Sequence, residues 1–477
     1  MAILSDIIVG FSTHFLGILF FVRNLIYFVG VQVLKKTICD LNNPPTMNKK
    51  FKALTYIAAA ALLFSSCTKP LEVPTPTPIT STGSTGTTGT TGKTGTTGTT
   101  TTGSTGTSGT TTTPPVVTPP TGSTINVGDG KNGIVIDGKV KSYPAGTIIV
   151  VKAGTYDGGI TVQNLTGVTI QGTGVILDGL NSTSAGFGNV LNLSNLTNVT
   201  ITGITTINQG YRMVNINSRM VGLTLDRLTF TNCGQGIYLS GGGNLVWDGT
   251  DNTVNLLNLT ISNSIFTNCG GNELGGSLTN GQVINLIKNI TVSGNKFSGG
   301  NPGDILYCGA VDNFKIFNNT ITNINANDNN DNRLFMMTGN GDAYNNTFNN
   351  YEGHAIGVWP LSFGSTVKTS HLTNNTCTNS RRYSAFEFQE FAAYAISGKT
   401  IKSDMVVSGN TCGNINTDHW TGYPGTFIDN YMFGYLGGKL TLTNNKGYNF
   451  FPAPILGVLW NLAAPFLSSG NTYSATL

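Results

Sequence analysis

Short runs of alternating apolar and polar residues recur along the second half of the chain, each ending in a Gly or Asn turn. They read VTITG (199–203), LTLDR (223–227), LTISN (259–263), ITVSG (290–294), FKIFN (314–318), DAYNN (342–346), HLTNN (371–375), VVSGN (406–410) and LTLTN (440–444). A period of two puts the apolar residues of each run on one face of a short strand. No such run can bury that face alone, so successive runs must stack. A second apolar set lies between them: MVNI (213–216), GIYL (236–239), VINL (283–286), ILYC (305–308), LFMM (334–337), AIGV (355–358), AFEF (385–388), FIDN (427–430) and ILGV (455–458). One coil therefore holds at least two strands. Parallel stacking at about 4.8 Å per coil predicts an all-β, right-handed single-stranded parallel β-helix about 50 Å long, with roughly eleven coils.

The turn residues support this reading. Asn318-Asn319, Asn345-Asn346, Asn374-Asn375 and Asn444-Asn445 fall at equivalent places, with Gly203, Gly294 and Gly409 in the same register. Gly and Asn are the residues that tolerate left-handed backbone, and stacked asparagines can hydrogen-bond from coil to coil. NNT (345–347) is therefore read as a packing motif and not as a glycosylation acceptor.

The segment PAGTIIVVKAGTYDGGITVQNLTGVTIQGTG (144–174) resembles the first coils of the pectate-lyase-like parallel β-helix superfamily, and the repeats continue that resemblance from Ile125 to the end of the chain. The resemblance implies the fold. It leaves the activity open, because the superfamily holds polysaccharide lyases, glycoside hydrolases, epimerases and non-catalytic adhesins. The paired-aspartate motifs of the polygalacturonase-like hydrolases are missing, as is a clear set of calcium carboxylates beside an arginine of the pectate-lyase kind. No cofactor motif is present, and calcium is the one ion the resemblance admits.

Composition narrows the partners. The net charge is +4, and residues 1–67 account for all of it: Arg23, Lys35, Lys36, Lys49, Lys50 and Lys52 stand against Asp6 and Asp40. The remainder is neutral and offers no excess positive field to a phosphate backbone, which argues against nucleic acid as a partner. Of seven cysteines, Cys233, Cys269, Cys308, Cys377 and Cys412 lie among the strands without metal-ligand spacing. Cys233 and Cys269 share one place in the near-repeat FTNCG and read as stacked, buried thiols.

The first quarter of the chain is of another kind. MNKKFKALTYIAAAALLFSSC, from Met47, has the basic start, apolar stretch and terminal cysteine of a bacterial export signal. It resembles a lipoprotein signal peptide with Cys67 as the lipidated residue, although Phe64 stands where leucine is usual. Residues 1–46 carry a further apolar stretch and read as lying upstream of the true start, with a transmembrane anchor as the competing view. From Val73 to Gly122 the chain is almost only Thr, Gly, Ser and Pro. Such a segment cannot bury enough apolar area to order itself, and as a coil it spans on the order of 40 Å. The expected organisation is an upstream segment (1–46), a lipoprotein signal peptide (47–67), a disordered linker (68–123) and the β-helix (124–477). The product would be a monomer anchored through lipid at the bacterial outer membrane or cell surface.

Chemistry is sought where charge concentrates in a chain so poor in it. Aligning the second strands places Asp304, Arg333 and His354 just before the strand on three consecutive coils. On the next coil Glu387 and Gln389 alternate with Phe386 and Phe388, so both polar groups face outward if the phenylalanines face the core. Tyr307 and Glu352 are close in sequence, and Arg381, Arg382 and Tyr383 lead into the strand. Arg333, His354 and Glu387 are the candidate catalytic residues; Asp304, Tyr307, Glu352, Gln389, Tyr383 and Trp420 are candidates for substrate binding. A lyase acting on a uronate polymer needs a cation for the carboxylate and a base for the adjacent proton, which Arg333 with His354 or Tyr307 would supply. A hydrolase needs two carboxylates, Glu387 with Glu352 or Asp304. The bland alternative is a solvated salt-bridge ladder in which Asp304 and Arg333 only pair. Trp359, Trp420, Tyr423 and Tyr383 could stack on sugar rings, with Trp359 equally suited to a core, and Asp418 with His419 forms a weaker alternative pair. The expected function is action on, or binding of, a polysaccharide outside the cell. A lyase is the enzyme reading and a glycan-binding surface adhesin the rival.

Overall fold

The computed structural model describes residues 122–181, 190–239, 243–300, 303–325, 332–421, 425–431, 433–451 and 466–474. The upstream segment, the signal peptide with Cys67, nearly all of the linker, Tyr423 and the ILGV run lie outside these residues.

Within them the apolar alternation becomes a parallel stack. One inward column runs Ile125, Ile149, Ile170, Ile201, Leu225, Ile261, Val292, Ile316, Ala343, Leu372, Val407, Leu442, Ser468, each residue paired in parallel register with the next. That column counts thirteen coils and a length of about 58 Å at 4.8 Å per coil. The two extra coils over the expected eleven lie at the ends, in strands Thr124–Val127 and Phe466–Ser469, where the apolar pattern is short or weak. A second sheet runs beside the first, and its strands include Asn272–Glu273, Phe386–Gln389 and Ile428–Tyr431. Strands Leu306–Phe317 and Arg333–Tyr344 bend through both sheets. A third sheet carries Phe230, Phe266 and Phe297 in register, with successive ring centroids 4.6 Å apart.

The turns show why Asn recurs. Asn263, Asn318, Asn345, Asn374 and Asn444 hold φ of 51–55°, and Gly294 and Gly409 hold 66–67° at the same place. The residue after each turns inward. Asn295, Asn319, Asn346, Asn375, Asn410, Asn445 and Asn471 form one ladder in which each Nδ2 donates to the Oδ1 of the next at 2.9–3.0 Å.

Two expectations need correction. VINL (283–286) is not a rung of the solenoid. Gln282–Ile284 instead pairs antiparallel with Ser277–Thr279, and the second strand of that coil is Asn272–Glu273. The apolar residues of the inserted hairpin bury elsewhere: Val283 and Leu286 join Trp247, Ala310, Phe363 and Ile396 in a small separate core. Cys233 and Cys269 are a disulfide and not stacked thiols, because their parallel register sets the Cα atoms 4.4 Å apart, at bonding reach. Cys308, Cys377 and Cys412 are free and buried.

Candidate functional site

The outer face of the second sheet carries the charge. Phe386 and Phe388 are fully buried in the core, so Glu387 and Gln389 face outward as the alternation required. Arg333 is in register with His354, and the Asp304 carboxylate accepts a hydrogen bond from the Arg333 backbone N–H at 3.2 Å. The three residues thus stack as expected. The guanidinium of Arg333 engages Glu387 through both Nε and Nη2, the latter donating to Oε1 at 2.5 Å. Gln389 donates to the same Oε1 at 2.5 Å. A forked, charge-assisted contact of this kind is strong and geometrically specific.

Arg333 reaches two coils along the solenoid to make it. The column under its path reads Tyr307, Met336, Gly357, Glu387, Asp429. At Gly357 a Cβ would stand 2.4 Å from Arg333 Cγ and 2.9 Å from its Cβ. Glycine at this place is what lets the side chain cross the intervening strand.

His354 is buried, and its Nδ1 donates to the Ser384 carbonyl at 3.0 Å, since a carbonyl can only accept. That bond turns Nε2 toward Glu387, at 4.0 Å from Oε1. Asp429 completes the group. It pairs in register with Glu387, is buried, and brings a carboxylate oxygen to a place where the ligand atoms of His354, Glu387 and Asp429 all lie within 4.8 Å of one another. Among the described residues this is the group that could hold a metal ion. The Arg333 charge already on Glu387 opposes a second cation there, and one imidazole with two carboxylates is far from the roughly six to eight oxygens calcium takes. Asp429 escaped the sequence reading although FIDN was read as a rung; aligning Phe386-Glu387 with Ile428-Asp429 would have placed it.

The other predicted residues divide around this centre. Tyr307 shares the Glu387 column three coils away and lines, with Asp304, Glu273 and Asn272, an open cleft of about 440 Å³. Burial, followed by the charge of Asp304, pushes its phenol above the ordinary value. Glu352 faces Arg381 at 3.1 Å and Arg382 at 3.6 Å, and both arginines also meet Asp418. This is a second ion cluster, and Glu352 is its buried anion. Tyr383, at φ 68°, lays its ring 5.3 Å from His354, with Trp420 edge-on behind it at 4.9 Å. Trp359 is half-buried and stacks on Tyr394 at 5.4 Å, next to Phe391. Aromatic rings thus neighbour His354 in space, and Trp359 lies on the strand that carries Gly357. His419 is exposed and stacks on Phe451 with ring centroids 4.3 Å apart.

No protein-family model matches the sequence, and no curated protein matches it. Among solved structures, a mannuronan C-5 epimerase A-module from Azotobacter vinelandii is similar at 12% identity over 75% of this chain and 92% of its own, with a TM-score of 0.41. A polygalacturonase from Erwinia carotovora ssp. carotovora is similar at 13% identity over 75% of this chain and 98% of its own, with a TM-score of 0.39. A surface protein and adhesin of Streptococcus pneumoniae is similar at 11% identity over 72% and 90%, with a TM-score of 0.31. These are likenesses of fold. By its own strand registers the chain is a parallel β-helix, the architecture its sequence resembles.

Proposed function

We propose that this protein acts on a polysaccharide outside the cell, held there by a lipid on Cys67, and that it cleaves glycosidic bonds at the Glu387–Asp429 pair. The observation that carries the reading is the convergence of two buried carboxylates from one outward column with an imidazole that follows Arg333 in register, Arg333 balancing the charge of one carboxylate. Glycosidases divide labour between a charged carboxylate and a protonated one. Glu387, paired with Arg333, is the charged member; Asp429 is the proton donor, with His354 beside both. In a retaining course the charged member attacks the sugar while its partner gives its proton to the leaving oxygen. Arg333 is 17% exposed and Glu387 only 3%, so Arg333 must swing aside for a sugar to reach Glu387.

A β-eliminating reading rests on the same exposure, since Arg333 is the member of the ion pair open to solvent and could take a uronate carboxylate in place of Glu387. The test is to incubate the protein with neutral and uronate-containing polysaccharides and follow new reducing ends together with absorbance near 235 nm. Reducing ends without absorbance support hydrolysis, and absorbance supports elimination. If both stay silent across the panel, the protein is a non-catalytic glycan binder.

A further inference from the structure

Along its middle coils, the sheet built on the first set of strands has an outer face rich in Ser and Thr. One outward column runs Ser262, Ser293, Phe317, Tyr344, Thr373, Ser408. Two residues earlier on the same face, Thr260 and Thr291 are followed by Lys315, Asp342 and His371. Within this stretch the small hydroxyl pattern gives way on consecutive coils to a pair of aromatics beside a charged row, which Val406 follows on the next coil. Phe317 and Tyr344 are half-buried and stack with centroids 4.9 Å apart and planes 1° apart. Because Ser293 and Thr373 flank them, the outer ring faces are not covered by large neighbours within the column.

Beside the charged row the chain opens a cleft of about 500 Å³, lined in part by Asp312, Asn340, Asp342, Lys368 and His371. At its base Asp312 is buried, paired with Lys368 and accepting from Asn340 Nδ2 at 3.0 Å. At its rim His371 Nδ1 meets Asp342 at 2.7 Å, and both are well exposed. Cations and anions nearly balance here, which disfavours a polyanion such as nucleic acid. Carboxylates, an amide, an ammonium and an imidazole offer donors and acceptors in alternation, which suits a ring carrying hydroxyls. Flat apolar faces next to such groups suit the apolar face of a pyranose.

We propose that this face is a second, non-catalytic binding site for a pyranose glycan, with sugar rings against the Phe317–Tyr344 stack and their hydroxyls on Asp342, His371 and the cleft behind. It is independent of the Glu387 reading: it lies on a different sheet and needs no chemistry. The fold itself shows how to remove it, since Ser and Thr occupy the aromatic positions on neighbouring coils. Electrophoresis of the full chain through gels containing neutral or uronate-bearing soluble polysaccharides gives the readout. The wild type and Glu387→Gln should be retarded alike by at least one glycan, whereas Phe317→Ser with Tyr344→Thr should bind it at least tenfold more weakly at an unchanged melting temperature. Asp342→Thr, a change the column also tolerates, should weaken binding in the same gel. Retardation that survives the aromatic replacement, or that is lost with Glu387→Gln instead, overturns the proposal, as does the absence of retardation by every glycan. Product formation by the wild type and its loss in Glu387→Gln report on the first site separately.

Discussion

Arg333 and Glu387, two coils apart, are joined by a forked ion pair that passes over Gly357. The contact spans about 10 Å of solenoid, and it exists only because the strand between them has no side chain where the arginine crosses.

Gly357→Ala should therefore break the pair without touching either partner. A methyl group 2.4 Å from Arg333 Cγ forces the arginine out of its path. The expected result is a loss of any cleavage activity of about tenfold or more, with destabilisation of about 1–3 kcal/mol, as for other overpacked sites. Full activity in Gly357→Ala would show that the arrangement is not needed.

The ion pair should show strong coupling. Removing one partner leaves the other buried and uncompensated, which costs on the order of 3 kcal/mol, somewhat less where Arg333 keeps contact with water. Arg333→Met combined with Glu387→Gln should cost clearly less than the sum of the two single changes. Urea titration of the four proteins measures this, and additive losses would mean that the pair contributes nothing.

The inner asparagine ladder should far outweigh the bond that Asn379 makes to Asn349 nearer the surface. Asn375 donates from Nδ2 to Asn410 Oδ1 and to the Ala343 carbonyl, all of it buried. Asn375→Ala strands several polar groups at about 1–3 kcal/mol each. Asn379 makes a similar bond to Asn349 at 2.7 Å where water can reach it, and Asn379→Ala should cost under about 1 kcal/mol. Equal losses in thermal unfolding would contradict the ladder's role.

Glu390 should make stability fall with rising pH. Burial raises its carboxyl from 4.5 to about 7, against the N–H groups of Gly434 and Leu436 that it accepts at 2.9 Å. Since the folded value lies above the unfolded one, its contribution is complete below about 4.5 and is lost as pH climbs through about 7. The loss is on the order of 2–3 kcal/mol. Glu390→Gln should flatten the stability difference between pH 5 and pH 8, and an unchanged slope would remove Glu390 as its source.

Much of this was legible in the sequence because the fold is written locally. Alternation fixes which face is buried, and the left-handed turn admits few residues besides Gly and Asn, so strands, turns and the stacking of Asp304, Arg333 and His354 could be read directly. Contacts that skip a coil could not. Nothing in the spacing shows that Arg333 passes over Gly357. Asp429 is a different case, one coil from Glu387 and placed by aligning FIDN with AFEF. Glu352, weighed with Glu387 as a carboxylate pair, is instead the anion shared by Arg381 and Arg382 of the adjacent coil. VINL misled because an inserted hairpin can carry the same apolar period as a rung.

The asparagine ladder gives the solenoid a head and a tail. Every rung offers its backbone N–H and its side-chain amide to the oxygen of the coil that follows, so the amide dipoles point one way along the axis. Peeling a coil from the C-terminal side strands two N–H groups on the coil left behind, whereas peeling from the opposite side strands an amide oxygen and a single N–H. Unwinding is thus directional, and at the last rung Asn471 the amide is met from within its own coil, where Nδ2 donates to Ser468 Oγ at 2.9 Å as well as to the Leu442 carbonyl of the coil before.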